Sequence, residues 1–476
     1  MLFNSYEFFI FLPIVWFLYT FIFSSNKNLQ NFILLVSSYI FYSFWDYRFL
    51  SLIFASTFVD FFAGIKIFES DKKLNKKLFL FLSLFFNLSL LGFFKYYNFF
   101  IESWINLFNS LGYKIIDHYT ISIILPVGIS FYTFQTISYT IDIYKDRIKP
   151  TKDFIAFATY VSFFPQLVAG PIERAKRLLP QLLNKRKNSR KNILDGFRLI
   201  IWGMFKKVVV ADSLAPVVND IFFNYNSLGG ITLIIGIFYF SFQIYCDFSG
   251  YSDIAIGTSK LFGIEIMSNF KFPYFSRNIA EFWRRWHISL STWFKDYLYI
   301  PLGGSRGPKL ISIRNIFIIF IVSGFWHGAN LTFIFWGFIH AAFFVPIYLS
   351  KKNRIYVEAI SEKKLLPTFK EFYHILLTFF IVTFGWIFFR SENIINAFDY
   401  IKIILTDFTI SENYSYLKLN FLIILLVILE WFMRFDERNV LIFKNKFFTI
   451  TLVIIIILLI IINFELVTNE FIYFDF

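Results

Sequence analysis

Residues 315–349 read NIFIIFIVSGFWHGANLTFIFWGFIHAAFFVPIYL and give the strongest indication of the fold. Two apolar stretches, 315–326 and 331–349, flank a short turn that contains His327. They predict a bent or paired membrane element, because a membrane-spanning helix needs about 20 mostly apolar residues. An ionisable side chain at membrane depth is costly, so His327 is a candidate for function. A largely dehydrated imidazole tends to stay neutral and can then act as a base.

The composition is typical of a polytopic membrane protein. Of 476 residues, 57% are hydrophobic and 16% are charged, and the mean hydropathy is +0.61. We expect an all-α protein with about 11 or 12 membrane crossings plus interfacial and re-entrant helices, in one domain over residues 1–476. The candidate spans are 7–24, 30–46, 49–68, 78–100, 121–143, 154–170, 193–211, 230–247, 313–326, 330–349, 371–390, 417–433 and 447–463.

The net charge of +14 comes from 46 basic and 32 acidic residues. The basic residues cluster in short segments between apolar spans, most strongly at 174–191, and the positive-inside rule places such segments on the cytoplasmic side. There is no nucleic-acid motif, so we expect no nucleic-acid partner. A single cysteine, Cys246, excludes an intramolecular disulfide and a cysteine metal cage. The histidines also lack the paired spacing of a metal site, so we expect none.

Residues 277–299 are interpreted as one amphipathic helix lying at the membrane interface. Basic residues, among them Arg284 and Lys295, fall on the face opposite a row of aromatic residues, and His287 lies between the two faces. The aromatic row consists of Phe282, Trp286, Trp293 and Tyr297.

The immediate surroundings of His327 suit a reaction site. Gly324 and Gly328 are small enough to let a substrate or another backbone approach closely. Trp326 helps to exclude water, and Asn330 is able to orient an imidazole or stabilise developing charge. The alternative is a buried histidine that ties helices together by a hydrogen bond, and from chemistry alone both interpretations stand.

Two other segments place polar groups or helix breakers among apolar residues. Residues 245–253 contain Asp247 and Asp253, which indicate either a broken helix end that lines a cavity or two helix-capping aspartates. Residues 163–174 contain proline and glycine at membrane depth, where irregular backbone is tolerated only inside protein or beside a wet cavity. The second segment is therefore a candidate lining of a substrate path.

Taken together, these motifs resemble those of the membrane-bound O-acyltransferase superfamily. The resemblance is to a bacterial branch that contains the membrane subunits of alginate and peptidoglycan O-acetylation and the D-alanyl transfer protein of teichoic acid synthesis. Several long motifs in one order make the resemblance specific, and they run through most of the core between 121 and 349, ahead of the C-terminal part 371–476. The matching stretches are 125–135, 163–174, 245–253, 282–304 and 323–330.

The resemblance implies a polytopic helical shell with a central tunnel. It implies that His327 is the catalytic histidine and that His287 supports it. Trp326, Asn330 and Asp247 become candidate substrate-binding residues. The implied acyl donor is cytoplasmic acetyl-CoA, which is a substrate, and no bound cofactor is expected. His327 would act as general base on a hydroxyl that attacks the thioester.

Residues 471–476, FIYFDF, resemble a terminal aromatic motif of the same branch. In that motif a tyrosine is thought to relay the acyl group outward, which makes Tyr473 a candidate acyl carrier. The alternative is that Tyr473 is an aromatic anchor at the membrane interface.

We expect an inner-membrane O-acetyltransferase subunit, in contact with membrane lipid, that serves O-acetylation of an extracytoplasmic glycan. Peptidoglycan is the first choice of glycan, and alginate or another exopolysaccharide the second. A periplasmic or extracellular SGNH-type acyltransferase with a serine–histidine–aspartate site is the expected partner. The rivals are a transporter and a non-catalytic scaffold, and both predict that His327 can be replaced without loss of acylation.

Overall fold

The computed structural model describes residues 1–113, 120–362, 364–411, 416–464 and 471–472. Over these residues all regular structure is helical, with no strand, which confirms the all-α prediction. The chain divides into two compact units, residues 1–189 with 262–266, and residues 190–261 with 267–476. The prediction of a single functional domain over 1–476 stays a prediction.

The described residues of the first unit form nine α-helices, which are α1 Tyr6–Phe17, α2 Lys27–Asp46, α3 Leu50–Glu69, α4 Lys73–Leu91, α5 Tyr97–Ser110, α6 Ile129–Tyr144, α7 Phe154–Ser162, α8 Phe164–Leu167 and α9 Ala175–Leu182. The described residues of the second unit form α10 Arg190–Met204, α11 Asp212–Phe223, α12 Gly230–Leu261, α13 Ile279–Arg285, α14 Ile288–Phe294, α15 Lys309–His327, α16 Leu331–Leu349, α17 Phe369–Arg390, α18 Ile394–Thr406, α19 Tyr416–Met433 and α20 Lys446–Asn463. Short π-helical segments follow α10, at Phe205–Ala211, and α14, at Lys295–Tyr299.

Within the described part of the chain, eight helical stretches are long and apolar enough to cross a membrane. One of them, Lys27–Glu69, joins two helices of 20 residues each. A multi-pass membrane protein is therefore confirmed, and the count of 11 or 12 crossings stays a prediction. The eight stretches are Lys27–Glu69, Lys73–Ser110, Gly230–Leu261, Lys309–His327, Leu331–Leu349, Phe369–Arg390, Tyr416–Met433 and Lys446–Asn463.

In the first unit, a buried polar cluster joins α3, α4 and α6. Asn87 of α4 donates from Nδ2 to Oδ2 of Asp60 in α3 at 2.8 Å. Ser83 of α4 donates to the other carboxylate oxygen of Asp60 and lies 3.0 Å from the hydroxyl of Thr140 in α6. Such interhelical hydrogen bonds hold apolar helices together where water cannot satisfy the polar groups.

Residues 163–174 form a short helix followed by irregular backbone inside the first unit. Residues 163–173 are buried, as predicted for helix breakers at membrane depth. The amides of Gln135 and Gln166 both donate to the carbonyl oxygen of Tyr160, at 2.6 and 2.7 Å, and so fix the segment to α6 and α7. Its role in a substrate path stays a prediction.

In the second unit, α12 is one continuous helix of 32 residues. Both interpretations of residues 245–253, a broken helix end and a pair of capping aspartates, are wrong. Asp247 and Asp253 lie inside the helix, and their carboxylates form ion pairs of 2.7 and 2.6 Å with Lys207 and Lys206 of the π-helical segment. These pairs compensate the charge, so the helix has no need to break at either aspartate.

The helices α15 and α16 form an antiparallel pair in which the backbones approach closely. A Cβ atom on Gly324 would lie 2.1 Å from the carbonyl oxygen of Phe333, and one on Gly337 would lie 2.3 Å from that of Phe320. Glycine at both positions is what permits this distance, as at small-residue interfaces between membrane helices. The pair fixes the turn at residues 328–330, next to His327.

The prediction of one interfacial helix over residues 277–299 is wrong. Helix α13 ends at Arg285, and α14 starts only after His287, which has a left-handed φ of 41°. The chain is held in the break because the backbone N–H of Ile288 donates to the carbonyl oxygen of Asn269 at 2.9 Å. The aromatic row packs inside the protein, since Phe282 and Trp286 are 1% and 0% exposed.

We expect Gly337→Ala to lower the thermal unfolding midpoint of the purified protein in detergent. The added methyl group meets backbone of α15, and overpacking of this kind costs about 1–3 kcal/mol, more than the gain in helix propensity. Gly92→Ala is the matched control, because a Cβ there has no heavy atom within 4 Å. Equal midpoints for the two variants would contradict the close approach of α15 and α16.

Candidate active site

The site is built around the end of α15. His327 is the last residue of this helix and is only 2% exposed. Asn330 caps α16, because its side-chain oxygen accepts from the backbone N–H of Thr332 at 3.0 Å and its amide nitrogen donates to the carbonyl oxygen of Glu392 at 2.7 Å. Those contacts commit the Asn330 amide to the turn, and its role as a pocket residue stays a prediction.

His287 and His327 are 40 positions apart in the sequence, and the structure brings them together. Their ring centroids lie 6.1 Å apart. The left-handed residue between α13 and α14 is His287 itself, which is fully buried. Left-handed backbone is uncommon for a residue with a side chain and frequently marks functional positions, so this conformation supports a role for His287.

Aromatic side chains surround the two imidazoles. The ring centroids of Trp326, Trp336 and Phe389 lie 5.1, 5.3 and 5.5 Å from that of His327. Phe248 of α12 lies 4.7 Å from His287, and Trp326 also lies 6.0 Å from it. Rings at these distances exclude water and disfavour a charged imidazole.

His287 lies in the segment 279–294, outside the candidate membrane spans. Burial lowers the pKa of His287 from its ordinary value of 6.5 to about 3. The imidazole is therefore neutral near neutral pH, with one nitrogen able to accept a proton or a hydrogen bond.

His340 has a different setting from the central pair. The indole N–H of Trp283 donates to Nδ1 of His340 at 3.2 Å. This contact links α13 to α16, so His340 is a hydrogen-bonded structural histidine.

Asp247 contacts residues 471–472 beside the two histidines. One carboxylate oxygen forms the ion pair with Lys207, and the other accepts from the backbone N–H of Ile472 at 2.8 Å. The ring of Phe471 lies 5.9 Å from that of Phe248, the residue that contacts His287. The structure therefore joins Asp247 to a chain segment, and substrate binding by Asp247 stays a prediction.

Tyr473, the predicted acyl relay, lies outside the described residues. Its prediction depends on the resemblance of the terminal motif. The structure contributes the placement of the two residues before it, which lie against α12 beside the histidine pair.

Sequence reasoning missed three residues that shape the site, Lys207, Phe248 and Phe389. Lys207 had a recognisable signal, since a lysine inside an apolar stretch points to a buried partner. No sequence signal distinguishes Phe248 and Phe389 from the rest of the 72 phenylalanines in the chain. No cluster of three or more histidine, cysteine or acidic side chains able to hold a metal ion occurs in the described residues.

The arrangement suits proton transfer between buried side chains with apolar surroundings. A neutral imidazole can take the proton of a hydroxyl as that hydroxyl attacks a carbonyl group. The second imidazole, 6.1 Å away, is near enough to orient the reacting groups. Aromatic side chains packed around the imidazoles would also shield a reactive ester or thioester from hydrolysis.

Comparison with known proteins identifies the family of this chain. The model of the membrane-bound O-acyltransferase family matches residues 145–353, a range that contains both histidines. A probable alginate O-acetylase of Pseudomonas syringae pv. tomato is 40% identical over 398 residues, covering 83% of this chain and 73% of the relative. A peptidoglycan O-acetyltransferase of Helicobacter pylori is 39% identical over 433 residues, covering 84% and 79%.

A more distant relative is a teichoic acid D-alanyltransferase of Bacillus subtilis, 28% identical over 281 residues, which cover 56% of this chain and 69% of the relative. The relatives named here are acyl-transfer proteins by name, and their similarity extends well beyond the family model. The chain belongs to the membrane-bound O-acyltransferase family, in the branch of the alginate and peptidoglycan O-acetyltransferases, and is a multi-pass membrane O-acyltransferase.

Proposed function

We propose that the protein takes acetyl from acetyl-CoA at the cytoplasmic side of the cell membrane and passes it across for O-acetylation of an extracytoplasmic glycan. The observation that carries the proposal is the pair of buried histidines, 6.1 Å apart between aromatic walls, at the end of α15. A non-catalytic scaffold has no need of two buried imidazoles at one point.

His327 acts as the general base in this proposal. It takes the proton of an acceptor hydroxyl while the oxygen attacks the acetyl carbonyl carbon of the thioester. The resulting intermediate collapses, the carbon–sulfur bond breaks, and the thiolate of coenzyme A leaves and recovers a proton from the imidazolium. His287, neutral because of its burial, orients His327 or the acceptor. The step requires no bound cofactor and no metal ion.

The direction of transfer is inferred from the position of the basic residues along the chain. The basic stretch 174–191 favours a cytoplasmic location for its loop under the positive-inside rule. The acetyl acceptor in this scheme is Tyr473, which would carry the group outward as an ester. An SGNH-type acyltransferase outside the membrane would then transfer it to the sugar.

Peptidoglycan is our first candidate for the final acceptor. It is placed first because it is widespread among bacteria; the named relatives match this chain almost equally, over 83% of its length for the alginate O-acetylase and 84% for the peptidoglycan O-acetyltransferase. Alginate or another exopolysaccharide is the second candidate, because the acceptor is chosen by the partner outside the membrane in this scheme.

We expect a strain that lacks the gene to lose base-releasable acetate from its purified peptidoglycan, and His327→Ala to fail to restore it. Removal of a general base slows a reaction by about 10²–10⁴-fold, which reduces the acetate to the level of the deletion strain. Acetate is measured after mild base release, with the amount of variant protein in the membrane confirmed by immunoblot.

His374→Ala is the matched control for this experiment. His374 lies in α17, where its Nδ1 is 3.5 Å from the hydroxyl of Tyr356. The His374→Ala variant should therefore restore acetylation. Restoration by His327→Ala would refute the catalytic assignment and favour a scaffold or transporter. Unchanged acetate in the deletion strain would refute peptidoglycan as the acceptor, and the same comparison on secreted polysaccharide then tests the second candidate.

The burial of His287 predicts how stability depends on pH. Its folded pKa of about 3 is below the ordinary 6.5, so the unfolded protein binds more protons between these values. Stability is therefore lost as the pH falls from 6.5 towards 3, by up to about 1.4 kcal/mol per pH unit from this group.

We expect His287→Gln to have a weaker loss of thermal stability with falling pH than the unaltered protein, measured as unfolding midpoints in detergent. The other histidines are the same in both proteins, so the difference between the two slopes reports on His287. Parallel slopes would show that His287 is not buried as a neutral imidazole.

A further inference from the structure

A buried charge cluster lies beside the candidate active site and is not used by the proposed chemistry. Lys207 and Asp247 are 5% and 3% exposed, and their side chains form an ion pair of 2.7 Å. Lys207 also pairs with Asp212 at 2.9 Å. Charges inside a membrane protein are costly and are kept where they have a function.

The second oxygen of the Asp247 carboxylate contacts the backbone of residues 471–472. While one oxygen faces Lys207, the other accepts the backbone N–H of Ile472 at 2.8 Å. Every residue except proline has a backbone N–H, so this contact fixes the position of the chain and requires of residue 472 only that it is not proline. Hydrogen bonds to a charged acceptor are about twice as strong as neutral ones.

The neighbouring residue of α12 completes the contact. The ring of Phe248 lies between two others, 5.9 Å from Phe471 and 4.7 Å from His287. Phe471 also packs 5.0 Å from the ring of Tyr251, one turn along α12. Both described residues of the segment are buried, Phe471 at 1% and Ile472 at 8% exposed.

We infer that Asp247, oriented by Lys207, is a positioning residue that docks residues 471–472 against α12 beside the histidine pair. The inference rests on the proposed function in one respect: the next residue is Tyr473, the proposed acyl carrier. Consecutive Cα atoms are only about 3.8 Å apart, so docking of residue 472 limits how far residue 473 can move from the site. Asp247 thus acts on acyl transfer through the chain and not on the donor.

The docking is tested without any assumption about the reaction. Ile472→Cys, in a protein whose buried Cys246 is replaced by alanine, gives a single thiol on the segment. The rate of its reaction with a small maleimide in detergent reports how often the segment leaves α12. Adding Asp247→Ala should raise that rate about tenfold or more, because the charge-assisted hydrogen bond is lost.

Asp253→Asn is the matched control for the labelling experiment. Asp253 forms a similar ion pair, of 2.6 Å, with Lys206 on the same two helical elements. It should leave the maleimide rate unchanged, which separates docking from general loosening of α12. Asp247→Asn, which keeps an acceptor oxygen, should restore much of the protection. An equal labelling rate with and without Asp247→Ala overturns the inference.

The consequence for acyl transfer is measured separately, as acetyl groups on the peptide that contains Tyr473, detected by mass spectrometry after incubation with acetyl-CoA. Asp247→Ala should lower kcat while leaving the KM for acetyl-CoA unchanged, because the residue positions the acceptor and not the donor. A faster maleimide reaction with unchanged kcat would overturn the positioning role. If the unaltered protein transfers no acetyl, the proposed function fails, while the labelling rates still decide the docking.

A second variant covers the case in which Asp247→Ala does not fold. Ile472→Pro removes the donating N–H and leaves the pair of Lys207 and Asp247 intact. It should lower kcat as Asp247→Ala does, whereas Ile472→Val keeps the N–H and should behave as the unaltered protein. Equal kcat for these two variants would also overturn the inference.

Discussion

The close approach of α15 and α16 is the constraint on which the site depends. Their backbones touch at Gly324 and Gly337, where any side chain would collide with a carbonyl oxygen. This contact brings the C-terminal end of α15, and with it His327, to a fixed point against α17. Membrane helices gain little from the hydrophobic effect between them, so such small-residue contacts set their geometry. The aromatic side chains around His327 then pack against α15 and α16, whose relative position is already fixed.

His287 is placed next to His327 by a break between two helices and not by close helix packing. A continuous helix through residues 277–299 would carry His287 along a regular face, whereas the break at His287 turns its imidazole into the pocket. The break is maintained by backbone hydrogen bonds to the preceding segment, such as Ile288 to Asn269. A strained residue held by its surroundings at the centre of a site is a common way to position a functional group.

The sequence predicted which residues form the candidate site better than it predicted how those residues are arranged. His327 was recognisable because an ionisable residue between two apolar stretches is rare, and His287 because it lies in a motif of the resembled family. Their proximity was not predictable from spacing, since it depends on packing between elements 40 positions apart. The error over 277–299 has a similar cause: aromatic residues at helical spacing predict one helix, and the tertiary hydrogen bonds that interrupt it leave no trace in that periodicity.

The interpretation of 245–253 failed for an electrostatic reason that has wider consequences for this protein. An aspartate in an apolar segment favours a helix end only if no cation is available to it. Here Lys206 and Lys207 lie on a π-helical segment, whose wider turn often occurs at functional sites, and they reach two aspartates inside an intact α12. The helix can therefore remain continuous and still present a carboxylate within the protein. That carboxylate accepts the backbone N–H of Ile472, so the charge that would have broken the helix instead ties residues 471–472 to α12 beside the two histidines.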